Sequence, residues 1–401
     1  MKKIILFLLI IVSSIISKAD YWTQKANFGG IPRVYAAVFS IGNNGFVGTG
    51  CDLSNSNYYK DFWQYDALSN TWTQIADFGG LARSGAFGFS IDSMGYVGAG
   101  GSTTSGVLKD VWQYNPQSNT WIQKSNFDSV GKAGNISFVI NSKAYVGIDS
   151  NELWQYDPIL DSWTQMANFA GNPRQGAVGF AIGSKGYVGT GLDTLPNPLL
   201  DFWEYDPSTN TWTQKASVGN LGRWYAIGFS LNNKGYIGTG CWFTSFRYAD
   251  FWEYDPTSNY WFQKSSIPVG RNKSSAFTIG NNGYVGIGYD SLFPNAIDFW
   301  EYTPDTLSGI NEITNSNSIS LYPNPTSGTF TLSYNSQLSI LNSQLIITDV
   351  LGRAVYSQSI NNQQSSVINI SNLSNGVYFY EIQTGNSTGS LTGMRGKIVK
   401  N

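Results

Sequence analysis

Hydrophobic and polar positions fall into short runs separated by polar, glycine-containing turns, and the same set of runs recurs along most of the chain. The apolar run Ala36 to Ile41 passes through Gly42-Asn43-Asn44-Gly45 into a second run, Phe46-Val47-Gly48. Asn and Gly tolerate the positive φ that tight hairpin turns require, so these runs predict a β-hairpin. A third run, Phe62-Trp63-Gln64-Tyr65, leads into a turn that in later copies reads Tyr-Asp-Pro. There Pro158, Pro207 and Pro256 preset φ, and Asp157, Asp206 and Asp255 accept backbone hydrogen bonds. The fourth run is Thr71-Trp72-Thr73-Gln74. In the third run Trp63 and Tyr65 point to one side and Phe62 and Gln64 to the other. A sheet with large side chains on both faces needs cover on both.

The unit occurs six times. Asp61, Asp110, Glu152, Asp201, Asp250 and Asp298 each stand two residues before a tryptophan, and those tryptophans, Trp63, Trp112, Trp154, Trp203, Trp252 and Trp300, recur every 42 to 49 residues. A second tryptophan follows the first five at a fixed distance: Trp72, Trp121, Trp163, Trp212 and Trp261. The sixth copy lacks it. Its counterpart, Trp22, stands instead before the first copy, which predicts that the N-terminal segment supplies the outermost strand of the last sheet. Radial stacking of four-stranded blades would cover both faces of each copy, each buried aromatic contributing about 1.5–3 kcal/mol.

These residues resemble the kelch-repeat β-propellers. The Gly-rich end of the second strand (Tyr-Val-Gly-Thr-Gly), the Tyr-Asp-Pro-x-x-Asn-x-Trp turn and the period near fifty residues carry the likeness over residues 20–304. The family's adjacent glycine pair becomes Gly-x-Gly in most copies, and Gly147-Ile148-Asp149 in the third. The expected fold class is all-β: a six-bladed kelch-type propeller closed by an N-terminal strand, then a small β-sandwich.

Composition narrows the chemistry. Charged residues make up 12% of the 401, about half the usual share, and the formal charge is −2 with no basic tract. Nucleic acid is therefore a poor partner. The chain has no histidine, which removes His-based acid/base catalysis, Ser-His and Cys-His nucleophiles and imidazole metal sites, including the ligands a copper radical oxidase of kelch type needs. No cofactor or metal is expected. Lys2 and Lys3 precede the apolar run Ile4 to Ile16, and Ser17-Lys18-Ala19 offers small residues at a cleavage site, so residues 1–19 read as a secretory signal. No later run is long enough to span a bilayer, and the mature chain is expected without a transmembrane segment. Cys51 and Cys241 lie in copies that are not neighbours and are expected as two buried, unbridged thiols.

Beyond a polar linker at 305–318 the periodicity changes. Residues 319–401 contain Leu321-Tyr-Pro-Asn-Pro325, Gly328-Thr-Phe330, Asp349-Val-Leu-Gly-Arg353, Leu373-Ser-Asn-Gly376-Val-Tyr378 and Gly396-Lys-Ile-Val-Lys400. Alternating stretches at 329–334, 344–347 and 377–382 read as strands of an Ig-like sandwich. In this order the motifs resemble the type A C-terminal sorting domain of cargo for the type IX secretion system. The resemblance implies export to the periplasm through the leader, then outer-membrane passage through the tail to the cell surface or medium, with the secretion machinery as a partner.

Two groups of residues are candidate binding elements. A cation precedes the first strand of every copy, Arg33, Arg83, Lys132, Arg174, Arg223 and Arg271, either as a collar at the channel mouth for a carboxylate-bearing peptide or acidic sugar, or bonded to loop carbonyls to hold blades in register. Loops between second and third strands differ among copies and carry Tyr58 and Tyr59, then Trp242, Phe243, Phe246, Arg247 and Tyr248, then Phe293. The repeated aspartates read as structural, since six carboxylates spread round a ring make no close acid/base pair. The functional expectation is a secreted or cell-surface, non-catalytic module presenting a loop face to a peptide, glycan or surface partner. The alternatives are a metal-free glycosidase or lyase and a structural surface component.

Overall fold

The computed structural model describes residues 20–129, 136–195, 197–243, 246–290, 296–305, 319–334, 343–350, 352–360, 365–384 and 392–400. The expected signal, most of the linker, Lys132 and Phe293 lie outside them. The chain divides into two units, residues 1–306 and 307–401. Among the described residues there is no helix.

The first unit contains six four-stranded antiparallel sheets. The first is Ala37–Ile41, Asn44–Gly48, Phe62–Asp66 and Thr71–Ile75 in spatial order. The next four begin with Phe87–Ile91, Ile136–Ile140, Val178–Ile182 and Ile227–Leu231 and repeat that order. The sixth runs Ser275–Ile279, Asn282–Gly286, Phe299–Thr303, with Tyr21–Gln24 as its outermost strand. Tyr21 lies opposite Thr303 and Gln24 opposite Trp300, so the segment carrying Trp22 completes the sheet furthest from it in sequence. The first strands of the six sheets neighbour one another in a closed cycle, the sixth against the first.

Aromatic packing explains the closure. Phe62 is buried with Phe39, Phe46 and Tyr114 between the first and second sheets, whereas Tyr65 is buried with Phe277, Tyr284 and Phe299 between the sixth and the first. Equivalent clusters fill the other four gaps. Every sheet thus buries both faces, the requirement its two-sided apolar pattern imposes.

A hydrogen-bonded latch repeats at the outer edge. In the first sheet Tyr65 donates to Asn70 Oδ1 at 2.9 Å, and the same oxygen accepts from the Ala26 N–H at 2.9 Å. Trp72 Nε1 returns a bond to the Ala26 carbonyl at 3.1 Å. In the sixth sheet Asp20 takes the place of the asparagine: it accepts from the Ser265 N–H at 2.6 Å and from Tyr302 at 3.2 Å, while Trp22 Nε1 donates to the Ser265 carbonyl at 2.8 Å. Asp20 and Trp22 therefore reproduce a latch built in the other sheets by an Asn, or by Asp161 in the third, and a Trp two residues on.

The second unit has a three-stranded sheet, Ile319–Tyr322, Thr329–Tyr334 and Ser365–Asn369, and a four-stranded one, Ala354–Ile360, Ser343–Thr348, Gly376–Thr384 and Thr392–Lys400. Phe330, Leu332 and Ile368 from the first share one core with Leu345, Ile347, Ile360, Ile382 and Ile398 from the second.

Candidate functional site

The five described repeat arginines belong to the framework. Arg33 is buried; its Nη1 and Nη2 reach the two carboxylate oxygens of Asp61 at 2.8 and 2.6 Å, Nη1 also reaches the Thr49 carbonyl at 2.9 Å, and Nε the Ile31 carbonyl at 3.0 Å. Trp63 Nε1 donates to the same carboxylate at 2.7 Å. Arg83 with Asp110, Arg174 with Asp201, Arg223 with Asp250 and Arg271 with Asp298 repeat the fork. Burial alone would raise the pKa of these aspartates, but the guanidinium's hydrogen bonds and charge, with the tryptophan N–H, hold all five below the usual carboxylate value. The five described arginines thus form no collar open to a ligand. Their side chains tie the loop to its own sheet, because the repeated aspartate supplies the planar anion the fork fits. The link to the neighbouring sheet runs through their backbone: the Arg83 carbonyl accepts from the Gly50 N–H at 2.8 Å, and the Arg271 carbonyl from Gly240 at 2.8 Å.

The loop aromatics divide. Tyr58 is half-buried and its backbone pairs antiparallel with that of Cys51. Tyr59 and Tyr248 cover the guanidiniums of Arg33 and Arg223 at 4.8 and 4.9 Å. Trp242 and Phe246 are exposed on a short ribbon, Cys241–Trp242 with Phe246–Arg247. Arg247 lies 3.7 Å from the Tyr289 ring centroid, and its buried Nε has no hydrogen-bond partner. In the third copy the equivalent loop closes tightly, the Ile148 N–H bonding the Glu152 carbonyl at 2.8 Å. Cys51 and Cys241 are buried free thiols.

The six first strands enclose a channel of about 430 Å³ whose lining is rich in Ala, Gly, Ser and Val. The lining is small because the strands crowd: a Cβ on Gly88 would lie 2.4 Å from the Val38 carbonyl oxygen. At the channel mouth, two residues after each repeat arginine, the backbone turns left-handed, with φ of 57° at Tyr35, 65° at Gly85, 60° at Gly176, 52° at Tyr225 and 55° at Lys273. That turn aims each N–H at the preceding sheet. Gly85 N–H bonds the Tyr35 carbonyl at 3.0 Å, Lys273 N–H the Tyr225 carbonyl at 3.1 Å and Tyr225 N–H the Gly176 carbonyl at 2.9 Å. Glycine suits such a position, and a bulky residue there carries a cost of about 1–3 kcal/mol.

Three of the six copies carry bulky residues nonetheless, and those three meet. The rings of Tyr35 and Tyr225 pack edge to face at 5.1 Å. Lys273 Nζ lies 4.9 Å from the first ring centroid and 5.6 Å from the second. Trp224 stacks on Tyr225 at 4.3 Å. Burial pushes both phenol pKa values up and that of Lys273 down, the last against the opposing influence of the Cys241 and Cys51 thiols. The mouth is therefore asymmetric: aromatic and cationic over the fifth, sixth and first sheets, and bare glycine at Gly85 and Gly176. Sequence reading passed over Tyr35, Trp224, Tyr225, Lys273 and Tyr289. The signal that finds the strained three is the column itself, which reads Tyr, Gly, Gly, Gly, Tyr, Lys down the six copies.

Residues 320–399 match the family model described as the secretion system C-terminal sorting domain, which places that tail at the end of the chain and supports export through the type IX system to the cell surface or medium. No curated protein matches the chain. The chain is similar to a solved structure described as "Structure of YjhT", with a TM-score of 0.59 and 20% identity over 68% of this chain and 95% of that one; the likeness is one of β-rich fold alone.

Proposed function

We propose that the chain is a secreted or surface-displayed recognition module, a six-bladed kelch-type propeller carried outward by an Ig-like sorting domain. Six four-stranded sheets in a closed cycle support the first part, and two sheets around one core support the second. The observation that carries the functional reading is where the copies differ. Residues shared among the copies are consumed in latches and, in five of the six, in Arg–Asp forks, whereas the departures meet at one side of the mouth, as Tyr35, Tyr225 and Lys273, with the ribbon of Trp242 and Arg247 bridged through Cys241 to Trp224 beside them. A rigid frame bearing a unique, partly aromatic face is what a binding platform requires.

Glycan-array and surface-extract binding by the mature chain tests this. Saturable binding, lost when Tyr225 is replaced by Gly, is expected. Turnover of any glycan on a broad panel would instead move the chain to the carbohydrate-active enzymes.

A further inference from the structure

We propose that Arg247 and Lys273 form a binding site for the carboxylate of an acidic saccharide held at the channel mouth. The inference rests on the recognition reading and names its ligand class.

Arg247 and Lys273 stand apart from the other cations of the first unit. Among the described residues of that unit, every other Lys and Arg except Lys109 lies within ion-pair distance of a carboxylate. Lys109 is exposed, and water satisfies it. Arg247 and Lys273 are half-buried, so they are partly desolvated with no anion in return. Geometry puts them at one corner: Tyr289, whose ring Arg247 covers, pairs in register with Asn272, the neighbour of Lys273, and Asn272 Nδ2 donates at 2.9 Å to Sγ of Cys241, the residue opposite Arg247. Two like charges brought together at a mouth are an unfavourable arrangement that an incoming anion relieves.

Their surroundings fit a planar anion on a hydroxylated ring. Tyr289 fixes the guanidinium plane of Arg247 at 3.7 Å and leaves a buried Nε–H without an acceptor. A guanidinium with open donors suits a carboxylate, and Lys273 adds a point charge beside it. The phenol pair Tyr35–Tyr225 supplies hydroxyls, and Trp242 and Phe243, 41% and 45% exposed, offer ring faces on the Arg247 ribbon. A peptide recognised by strand addition would need an open sheet edge. The first strands here are each paired within a sheet and enclosed by the cycle. The strain at Lys273, in a column where glycine serves three other copies, is the cost of placing an ammonium there.

Calorimetric titration of the mature chain with oligogalacturonate, oligoalginate and hyaluronan oligosaccharides, with methyl-esterified oligogalacturonate and with a hexapeptide of Asp and Glu, tests the assignment. At least one uronate should bind, with methyl esterification weakening oligogalacturonate tenfold or more where that is the ligand. Arg247→Gln and Lys273→Gln should each weaken uronate binding tenfold or more. Lys273→Gly, which restores the repeat's own residue, should lose binding while unfolding at an equal or higher temperature, separating lost recognition from lost folding. Uronate affinity unchanged in the Gln variants, or preference for the acidic peptide, overturns the inference. Binding of neutral glycans or surface extract without uronate overturns only the carboxylate assignment; binding of nothing in either experiment overturns the recognition reading as well.

Discussion

Five buried guanidiniums, each facing a half-exposed aspartate, set the acid sensitivity of the first unit. The folded pKa values of Asp61, Asp110, Asp201, Asp250 and Asp298 lie below 3.8. A depressed carboxyl contributes stability that is fully present above its unfolded pKa and is lost as pH falls through the folded one. The thermal midpoint should therefore stay nearly level from pH 7 to about 5 and drop steeply below about 4, as five like groups protonate together. Asp110→Asn isolates one of them. It leaves Arg83 buried against a neutral amide, a loss of about 3 kcal/mol by the cost of breaking a buried pair. Urea unfolding of this variant at pH 7 measures that loss, and its acid transition should be shallower than that of the parent. The fork itself illustrates what a single sequence hides. Both partners were legible as repeated residues, Arg33 to Arg271 and Asp61 to Asp298, but not that they meet, because some 27 residues separate them and only the folded loop brings the guanidinium onto the carboxylate.

At the scale of the strand, the displaced tryptophan carried the most information. Trp22 stands alone before the first copy, and its partner sheet lies some 280 residues away. The position of a missing repeat residue thus specified a long-range pairing that no local propensity could. The accompanying Asp20 was not legible, because its role lies in a hydrogen bond to the neighbouring sheet that only the fold brings about, as for Asp161 in the third copy. Likewise the strained column at the mouth escaped a reading based on shared residues, because its meaning lies in departures from glycine. Trp22→Ala removes a ring packed at 5.1 Å against Phe251 and 5.0 Å against Tyr302, together with the bond to Ser265. The expected loss is about 3–5 kcal/mol, as for a large aromatic deleted from a core. Scanning calorimetry should show a lower midpoint for the first unit with the second unit's transition unmoved. An equal loss in both transitions would mean that the closing strand is not local to the ring.

For the whole molecule, the two units answer different selective demands. The first spends its repeated residues on a closed frame in which Cys51 and Cys241 are buried and unbridged. The second keeps its own core, with Phe330, Leu345 and Ile382 buried between two sheets, and makes its fold independent of what precedes it. An address of this kind works only if it can be read without disturbing the cargo. Removing residues 319–401 should therefore leave the first unit folded, with its near-ultraviolet dichroism and the binding of its mouth intact, while the protein accumulates in the periplasm instead of at the surface or in the medium. Cell fractionation with immunodetection reads the location. Undiminished surface display of the shortened chain would place the export signal in the first unit, and degradation in the periplasm would show that the tail contributes to folding as well as to passage.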